Sequence, residues 1–213
     1  GFDIVSYERT TKGVTFNLNQ NEATGQEVGE DTYRNIEAYV GGQGDDKVGG
    51  SGNSDHYFYI GGHDDFDAKG GRDTLDFSRF TASVLVNLAS GDDAKTGDGT
   101  KAPEKTLRDI VAISSVEDVR GTDYDDILTG NAAANRLHGG KGDDLLDGGK
   151  TRDNDELNGD QGDDTIIGRI GAGRDTIDGG GQPTRWGFAD DAYAGDAPRF
   201  LTGGLEITRG GRR

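Results

Sequence analysis

A spacing of nine residues between single apolar side chains is the feature that most constrains this sequence. Each of these apolar residues stands eight places into a Gly-rich unit, and most neighbours in the series are nine positions apart. The series consists of Val48, Tyr57, Phe66 and Leu75, followed by Leu128, Leu137, Leu146, Leu157, Ile166 and Ile177. Two of the later gaps are eleven residues long, so two units carry insertions of two residues. A short period of this kind indicates a repeat architecture, in which each unit packs on its neighbours.

A polar residue accompanies each apolar residue of the series, two places before it. Nine of these ten positions are Asp and one is Asn. The acidic series is Asp46, Asp55, Asp64, Asp73, Asp126, Asn135, Asp144, Asp155, Asp164 and Asp175. Only 30% of the residues in the chain are charged, so this agreement is far from chance. The acidic position therefore belongs to the repeat.

Composition argues against a conventional hydrophobic core. The 213 residues include 38 Gly, only 31% are hydrophobic, and the formal net charge is −17. Such a composition is typical of disorder unless a ligand or an economical repeat supplies the stability. The negative charge would be repelled by nucleic acids and by anionic membranes, so we expect cations as partners instead. The sequence has no run of about 18 apolar residues that would predict a membrane span, and it has no Cys.

The glycines complete a nine-residue motif, G-G-x-G-x-D-x-U-x, in which U is a large apolar residue. The closest copies are GGQGDDKVG at 41–49, GGKGDDLLD at 139–147 and GDQGDDTII at 159–167. The chain thereby resembles the RTX, or haemolysin-type, calcium-binding proteins, whose glycine-rich nonapeptides carry this pattern. The resemblance covers residues 41–75 and 121–180.

This pattern predicts an all-β fold, a right-handed parallel β-roll (β-solenoid) in two blocks with β-rich inserts between them. We expect each unit to form a six-residue turn and a short strand with one inward apolar side chain. Stacked turns would present carboxylates and backbone carbonyls, which are the hard oxygen ligands that calcium prefers. We therefore expect several Ca²⁺ ions, bound by the acidic series and by turn glycines. These glycines are Gly41, Gly44, Gly121, Gly139, Gly142, Gly159 and Gly162.

The chain divides into five predicted segments. They are a β-rich insert or cap at 1–40, a first calcium-binding block at 41–75, a second β-rich insert at 76–120, a second calcium-binding block at 121–180, and a C-terminal cap or linker at 181–213. The two inserts share a sequence frame, with an alternating apolar run that predicts a half-buried strand in each. These runs are Val14, Phe16 and Leu18, and Val84, Val86 and Leu88.

Two interpretations remain open for residues 181–213. The stretch FLTGGLEIT at 200–208 could form a terminal strand that covers the open end of the last coil, since open sheet edges need covering. Alternatively, Trp186, Tyr193 and Arg199 could form a patch that binds a partner or a polysaccharide.

Other chemistries are poorly supported. The stretch GGKT at 148–151 resembles the end of a phosphate-binding loop, but the Gly required five places before Gly149 is replaced by Asp144. His56 and His63 could bind zinc, but solvated or turn histidines are the preferred interpretation. No motif for a nucleophile occurs, and carboxylate pairs carry no information in so acidic a chain. We expect no enzymatic activity from this chain.

The repeat predicts that calcium drives folding, because aligned aspartates repel one another when no cation is present. The family resemblance implies a module of a secreted or cell-surface bacterial protein that is exported unfolded by type I secretion and folds outside the cell. A structural or adhesive role fits best. There are two alternatives. The chain could be a non-catalytic accessory module of a secreted polysaccharide-modifying enzyme or protease, or it could be a module that binds carbohydrate or a cell-surface glycan.

The two faces of the second block differ in regularity. One face carries Asp126, Asp144 and Asp164 on turns of regular length. Both two-residue insertions and the single Asn fall on the other face, next to Asp155 and Asp175. Inserted residues would move carbonyls away from an ion, so we expect the regular face to bind calcium more tightly.

Overall fold

Short strands and turns make up this protein. The computed structural model describes residues 2–89, 94–97, 107–149, 153–169, 174–181, 185–189 and 199–202. In these ranges every regular element is a β-strand. No helix capable of crossing a membrane occurs among them.

The strands form two sheets. The eight-stranded sheet has the spatial order β1 (Ile4–Ser6), β5 (Ala38–Val40), β7 (His56–Phe58), β9 (Thr74–Asp76), β13 (Asp118–Arg120), β15 (Arg136–Lys141), β17 (Glu156–Gln161) and β19 (Thr176–Asp178). The thirteen-stranded sheet has the order β21 (Arg199–Thr202), β20 (Arg185–Ala189), β18 (Thr165–Arg169), β16 (Leu145–Asp147), β14 (Ile127–Thr129), β10 (Val84–Asn87), β11 (Ala94–Thr96), β12 (Arg108–Ser114), β8 (Asp64–Asp67), β6 (Lys47–Gly49), β2 (Val14–Asn17), β3 (Glu22–Gly25) and β4 (Gly29–Thr32).

Successive coils stack in parallel, in the register that the nine-residue period predicts. Val48 of β6 lies beside Phe66 of β8, and Leu128 of β14 lies beside Leu146 of β16, so one coil takes 18 residues. The separation grows to 20 residues where a unit carries an insertion, as between Leu146 and Ile166. The expected all-β, parallel β-roll is therefore confirmed.

The apolar residues of the repeat point inward between the two sheets. Nine of the ten are buried, and the last one, Ile177, is partly buried. The type of core side chain changes along the roll. Aromatic rings such as Phe16, Tyr57 and Phe66 fill the first part. Aliphatic side chains fill the second part, from Leu128 onward. A single hydrophobic cluster runs through both parts.

The strands of the two inserts belong to the same sheets as the repeats. In the thirteen-stranded sheet, β2 pairs in parallel with β6, and β10 with β14. β12 pairs in parallel with β8. The strands β3, β4 and β11 are antiparallel additions to this sheet. The alternating runs around Phe16 and Val86 are buried on one side, as the sequence predicts.

The roll continues beyond the last repeat. Strand β20 pairs in parallel with β18, and β21 then pairs with β20 in an antiparallel manner. The first residues of the expected terminal strand, up to 202, therefore lie in the sheet. Tyr193 and residues 203–208 fall outside the described residues.

Candidate calcium sites

The turns of the roll stack into two columns. The first turn column leads from the eight-stranded sheet to the thirteen-stranded sheet, and the second turn column leads back. Each repeat turn ends at the acidic position. The first column holds Asp46, Asp64, Asp126, Asp144 and Asp164, and the second holds Asp55, Asp73, Asn135, Asp155 and Asp175.

Backbone hydrogen bonds tie most side chains of the acidic series to the preceding coil. The N–H of Asp126 donates to Oδ1 of Asp144 at 2.8 Å, and the N–H of Asp144 donates to Oδ1 of Asp164 at 3.0 Å. The same bond recurs in the first block and in the second column, with N···O distances from 2.7 to 3.1 Å. In these residues, one carboxylate oxygen is thus used to hold the coils together.

The Asp that precedes the acidic position makes a second, outer series of such bonds. The N–H of Asp143 donates to Oδ1 of Asp125 at 3.0 Å, and the N–H of Asp163 donates to Oδ1 of Asp143 at 2.9 Å. These outer side chains are more exposed than the acidic series. The Asp-Asp pair of the best repeats therefore supplies one inner and one outer carboxylate per turn.

Burial makes the inner carboxylates costly to charge. All of the acidic series except Asp175 are buried. Burial, together with the neighbouring carboxylates of Asp126 and Asp164, raises the pKa of Asp144 to about 9. Burial also raises the pKa of Asp64 to about 8 and that of Asp126 to about 7. A cation beside these carboxylates would offset both burial and mutual repulsion.

Three carboxylates of the acidic series keep a buried oxygen that has no hydrogen-bond partner within the described part of the chain. They are the Oδ2 atoms of Asp73, Asp144 and Asp164. An unpaired buried oxygen is unfavourable, and a hard cation such as Ca²⁺ would satisfy it. The donor set therefore fits calcium at these positions.

The turns 139–144 and 159–164 also have a distinct backbone. Their second and fourth residues adopt positive φ, with 112° at Gly140, 109° at Gly142, 65° at Asp160 and 147° at Gly162. The left-handed region is readily reached by Gly, which explains Gly142 and Gly162 in the motif. Turn 68–73 shares this backbone, with 68° at Lys69 and 130° at Gly71, and all three turns leave Oδ2 of their acidic residue free.

The first glycine of these turns is required for space. Gly41, Gly121, Gly139 and Gly159 do not have positive φ. A Cβ at any of them would overlap the carboxylate at the end of the same turn. Gly44 likewise leaves room for the backbone of Lys12 in the neighbouring coil. These glycines allow the buried carboxylate and the adjacent coil to approach closely.

Other acidic positions are satisfied by protein groups that the repeat pattern did not reveal. The N–H and Oγ1 of Thr122 donate to Oδ2 of Asp126 at 2.6 and 3.0 Å. The N–H and Oγ of Ser51 donate to the carboxylate of Asp55 at 2.6 and 3.1 Å. In both turns the sequence has a hydroxyl residue in place of the second Gly of the motif, and this replacement is the feature that could have predicted these hydrogen bonds.

The second turn column continues through the inserts, which the sequence analysis also missed. Val119 lies in register with Leu75, so Glu117 takes the acidic position of its coil. Oε2 of Glu117 accepts a hydrogen bond from the N–H of Asp73 at 3.0 Å. Oε2 of Glu37 accepts one from the N–H of Asp3 at 2.9 Å.

The first turn column is interrupted at the inserts. Val14 and Val84 occupy the acidic position there, and their N–H groups donate to Asp46 and Asp126, both at 2.7 Å. Val111 takes the same position next to Asp64. A valine side chain offers no ligand, so the carboxylates of this column are divided into two separate runs.

Calcium at the turns requires backbone ligands as well as carboxylates. Within the described residues, no three His, Cys, Asp or Glu side chains converge on one point. His56 pairs with Asp76 at 3.0 Å instead of forming a zinc site with His63. Backbone carbonyls of the turns are the remaining oxygen atoms, and calcium accepts such mixed oxygen sets.

These sheets and turn columns define a calcium-binding parallel β-roll. The family model of the RTX calcium-binding nonapeptide repeat (4 copies) matches residues 120–153 and 151–182. The second block therefore consists of RTX repeats, which bind several Ca²⁺ ions. Residues 41–75 lie outside the match, although their coils have the same register. No curated protein matches the chain significantly.

Proposed function

We propose that this chain is a non-catalytic, calcium-folded module of a secreted or cell-surface bacterial protein, in which it has a structural or adhesive role. The free Oδ2 atoms of Asp144 and Asp164 are the observation that supports this proposal most strongly. Both lie at buried positions of adjacent coils in the best repeats. Folding this part of the roll brings the carboxylates together, so a cation that joins them stabilises the folded chain.

The proposed ligands are the carboxylates of the acidic series together with carbonyls of the Gly-rich turns. Asp144 and Asp164 are the strongest candidates in the first turn column, and Asp73 in the second, because each offers a free buried oxygen. Their chemistry favours Ca²⁺ over Mg²⁺, because Mg²⁺ demands a smaller and nearly octahedral ligand set.

A calcium titration tests this coupling. We expect far-UV circular dichroism of the chain in EDTA to show much less β-structure than in millimolar calcium, and we expect magnesium not to restore it. Half-saturation should fall at roughly 10⁻⁴–10⁻³ M, the range of extracellular calcium modules. A spectrum in EDTA identical to that with calcium would contradict the proposal.

The same titration bears on where the protein works. A midpoint in the extracellular range would leave the chain unfolded at intracellular calcium and folded after export. A midpoint near that of cytosolic calcium buffers, about 10⁻⁹–10⁻⁸ M, would contradict folding outside the cell. If the chain binds a glycan, and if Trp186→Ala abolishes this binding without affecting folding, carbohydrate recognition would be favoured over the structural role.

A further inference from the structure

Tyr57 places a hydroxyl group at the acidic positions of the first block. It is the central residue of β7, and its side chain is completely buried. Its hydroxyl donates to Oδ2 of Asp64 at 2.7 Å and lies 3.4 Å from Oδ2 of Asp46. The hydroxyl therefore reaches from the eight-stranded sheet to carboxylates on two adjacent coils of the first turn column.

The second block has the same geometry without the hydroxyl. Tyr57 stands eleven residues after Asp46 and seven before Asp64, and Leu137 stands at the same distances from Asp126 and Asp144. Both residues lie in the inward row of the eight-stranded sheet, which passes through Leu75 and Val119. Leucine donates no hydrogen bond, and Oδ2 of Asp144 has no partner among the described residues.

The backbone of the two corresponding turns, 41–46 and 139–144, differs in the same sense. In turn 41–46, the N–H of Gly42 donates to Oδ2 of Asp46 at 2.5 Å, and no residue of the turn has positive φ. In turn 139–144, both Gly140 and Gly142 have positive φ. The carboxylates of Asp46 and Asp64 are thus satisfied by protein donors, from the backbone and from Tyr57.

The core of the first block supports this difference independently. Tyr57 packs against Phe16 and Phe66, with ring centroids 6.3 and 5.5 Å apart. Aromatic side chains bury about 150–250 Å² each, more than the Leu and Ile residues of the second block. The first block therefore has a larger source of stability that does not involve an ion.

We propose that the Tyr57 hydroxyl takes the place of calcium between Asp46 and Asp64, so that this part of the roll is ordered without the ion. The sequence pattern had marked both aspartates as calcium ligands. The ordered coils of the first block then form a template on which the second block folds when calcium binds. This inference rests on the proposed calcium ligation of Asp144 and Asp164.

Amide hydrogen exchange of the full chain offers a matched pair of reporters. The N–H of Asp46 bonds to Asp64, and the N–H of Asp126 makes the equivalent bond to Asp144. In EDTA we expect the Asp46 amide to stay protected and the Asp126 amide to exchange. Exchange of both would overturn the Tyr57 inference alone. Protection of both would overturn the calcium function, and the inference with it.

Tyr57→Phe removes only the hydroxyl and keeps the ring. We expect the Asp46 amide to lose at least about tenfold protection in EDTA and to regain it in saturating calcium, with about one more ion bound per chain by equilibrium dialysis. Leu137→Tyr is the converse variant, and we expect it to bind about one ion fewer.

Two results would overturn the inference. One is unchanged protection in EDTA together with an unchanged number of bound ions in Tyr57→Phe. The other is a Tyr57→Phe chain whose Asp46 amide stays unprotected at saturating calcium, because calcium should then replace the missing hydroxyl.

Discussion

One position of the repeat has three chemical environments in this molecule. The carboxylates of Asp46 and Asp64 accept a tyrosine hydroxyl. Asp126 accepts two bonds from Thr122, whereas Asp144 and Asp164 keep a free buried oxygen. The same residue type can therefore stabilise a turn or bind an ion, and the neighbouring donors decide which. Calcium affinity should vary accordingly along the column.

Asp144→Asn should weaken calcium binding more than Asp155→Asn. The amide keeps an acceptor for the N–H of Asp126 but removes the negative charge beside the free oxygen. Asp155 belongs to the turn column with the insertions. We expect the calcium midpoint, followed by circular dichroism, to rise about tenfold for Asp144→Asn, which corresponds to about 1.4 kcal/mol. Equal shifts in the two variants would contradict the difference between the faces.

At the scale of the strand, a single inward residue carries most of the packing. Strand β16 consists of only Leu145, Leu146 and Asp147, and of these only Leu146 is buried. Leu146 lies between Leu128 and Ile166 of the adjacent strands. In this part of the roll the core therefore receives one inward side chain per nonapeptide, which is one per coil in each sheet, and the loss of one affects the whole stack.

Leu146→Asp should unfold the second block even in saturating calcium. The substitution would bury an unpaired charge between the sheets, and we expect a loss of more than about 4 kcal/mol in the free energy of unfolding. Leu145→Asp is the matched control, because Leu145 is only partly buried and faces outward. We expect it to cost less than about 1 kcal/mol in urea unfolding monitored by circular dichroism. Similar losses in both variants would show that the inward register is wrong.

The sequence predicts those elements that depend on the short period. Inward residues such as Leu137 and the register of the coils follow from nine-residue spacing, because each unit contacts only its neighbours. The antiparallel strands β3, β4 and β11 could not be predicted, since non-repetitive loops decide how they pair. Glu117 and the hydrogen bonds of the Tyr57 hydroxyl were missed for a related reason, because these contacts depend on which coils become neighbours.

At the scale of the whole molecule, the two blocks form one continuous roll. The hydrophobic cluster extends from Val14 to Ile166, and β8 is joined to β10 through β12 and β11. The second turn column also passes between the blocks at Glu117. Calcium bound in the second block should therefore stabilise the first block as well, through shared sheet edges and core. The five-segment division from the sequence remains a prediction about folding units.

The buried carboxylates should make calcium binding depend on pH over the whole roll. Burial raises the pKa of Asp144 to about 9 and of Asp64 to about 8, above the value of about 3.9 expected for unfolded Asp. The calcium-free folded state therefore holds more protons than the unfolded state. Its stabilisation by these protons is complete below about pH 4 and is lost as the pH rises towards 9.

Calcium must displace those protons when it binds. We expect calcium binding at pH 7 to release protons, measured by calorimetry in buffers of different ionisation enthalpy, and the calcium midpoint to rise as the pH falls from 9 to 6. Asp144→Asn should release fewer protons, because it removes the carboxyl group whose pKa is raised most, to about 9. High salt is the control for surface charge, since it screens exposed carboxylates far more than buried ones. Binding without proton release, or a midpoint independent of pH, would show that the carboxylates are already ionised before calcium arrives.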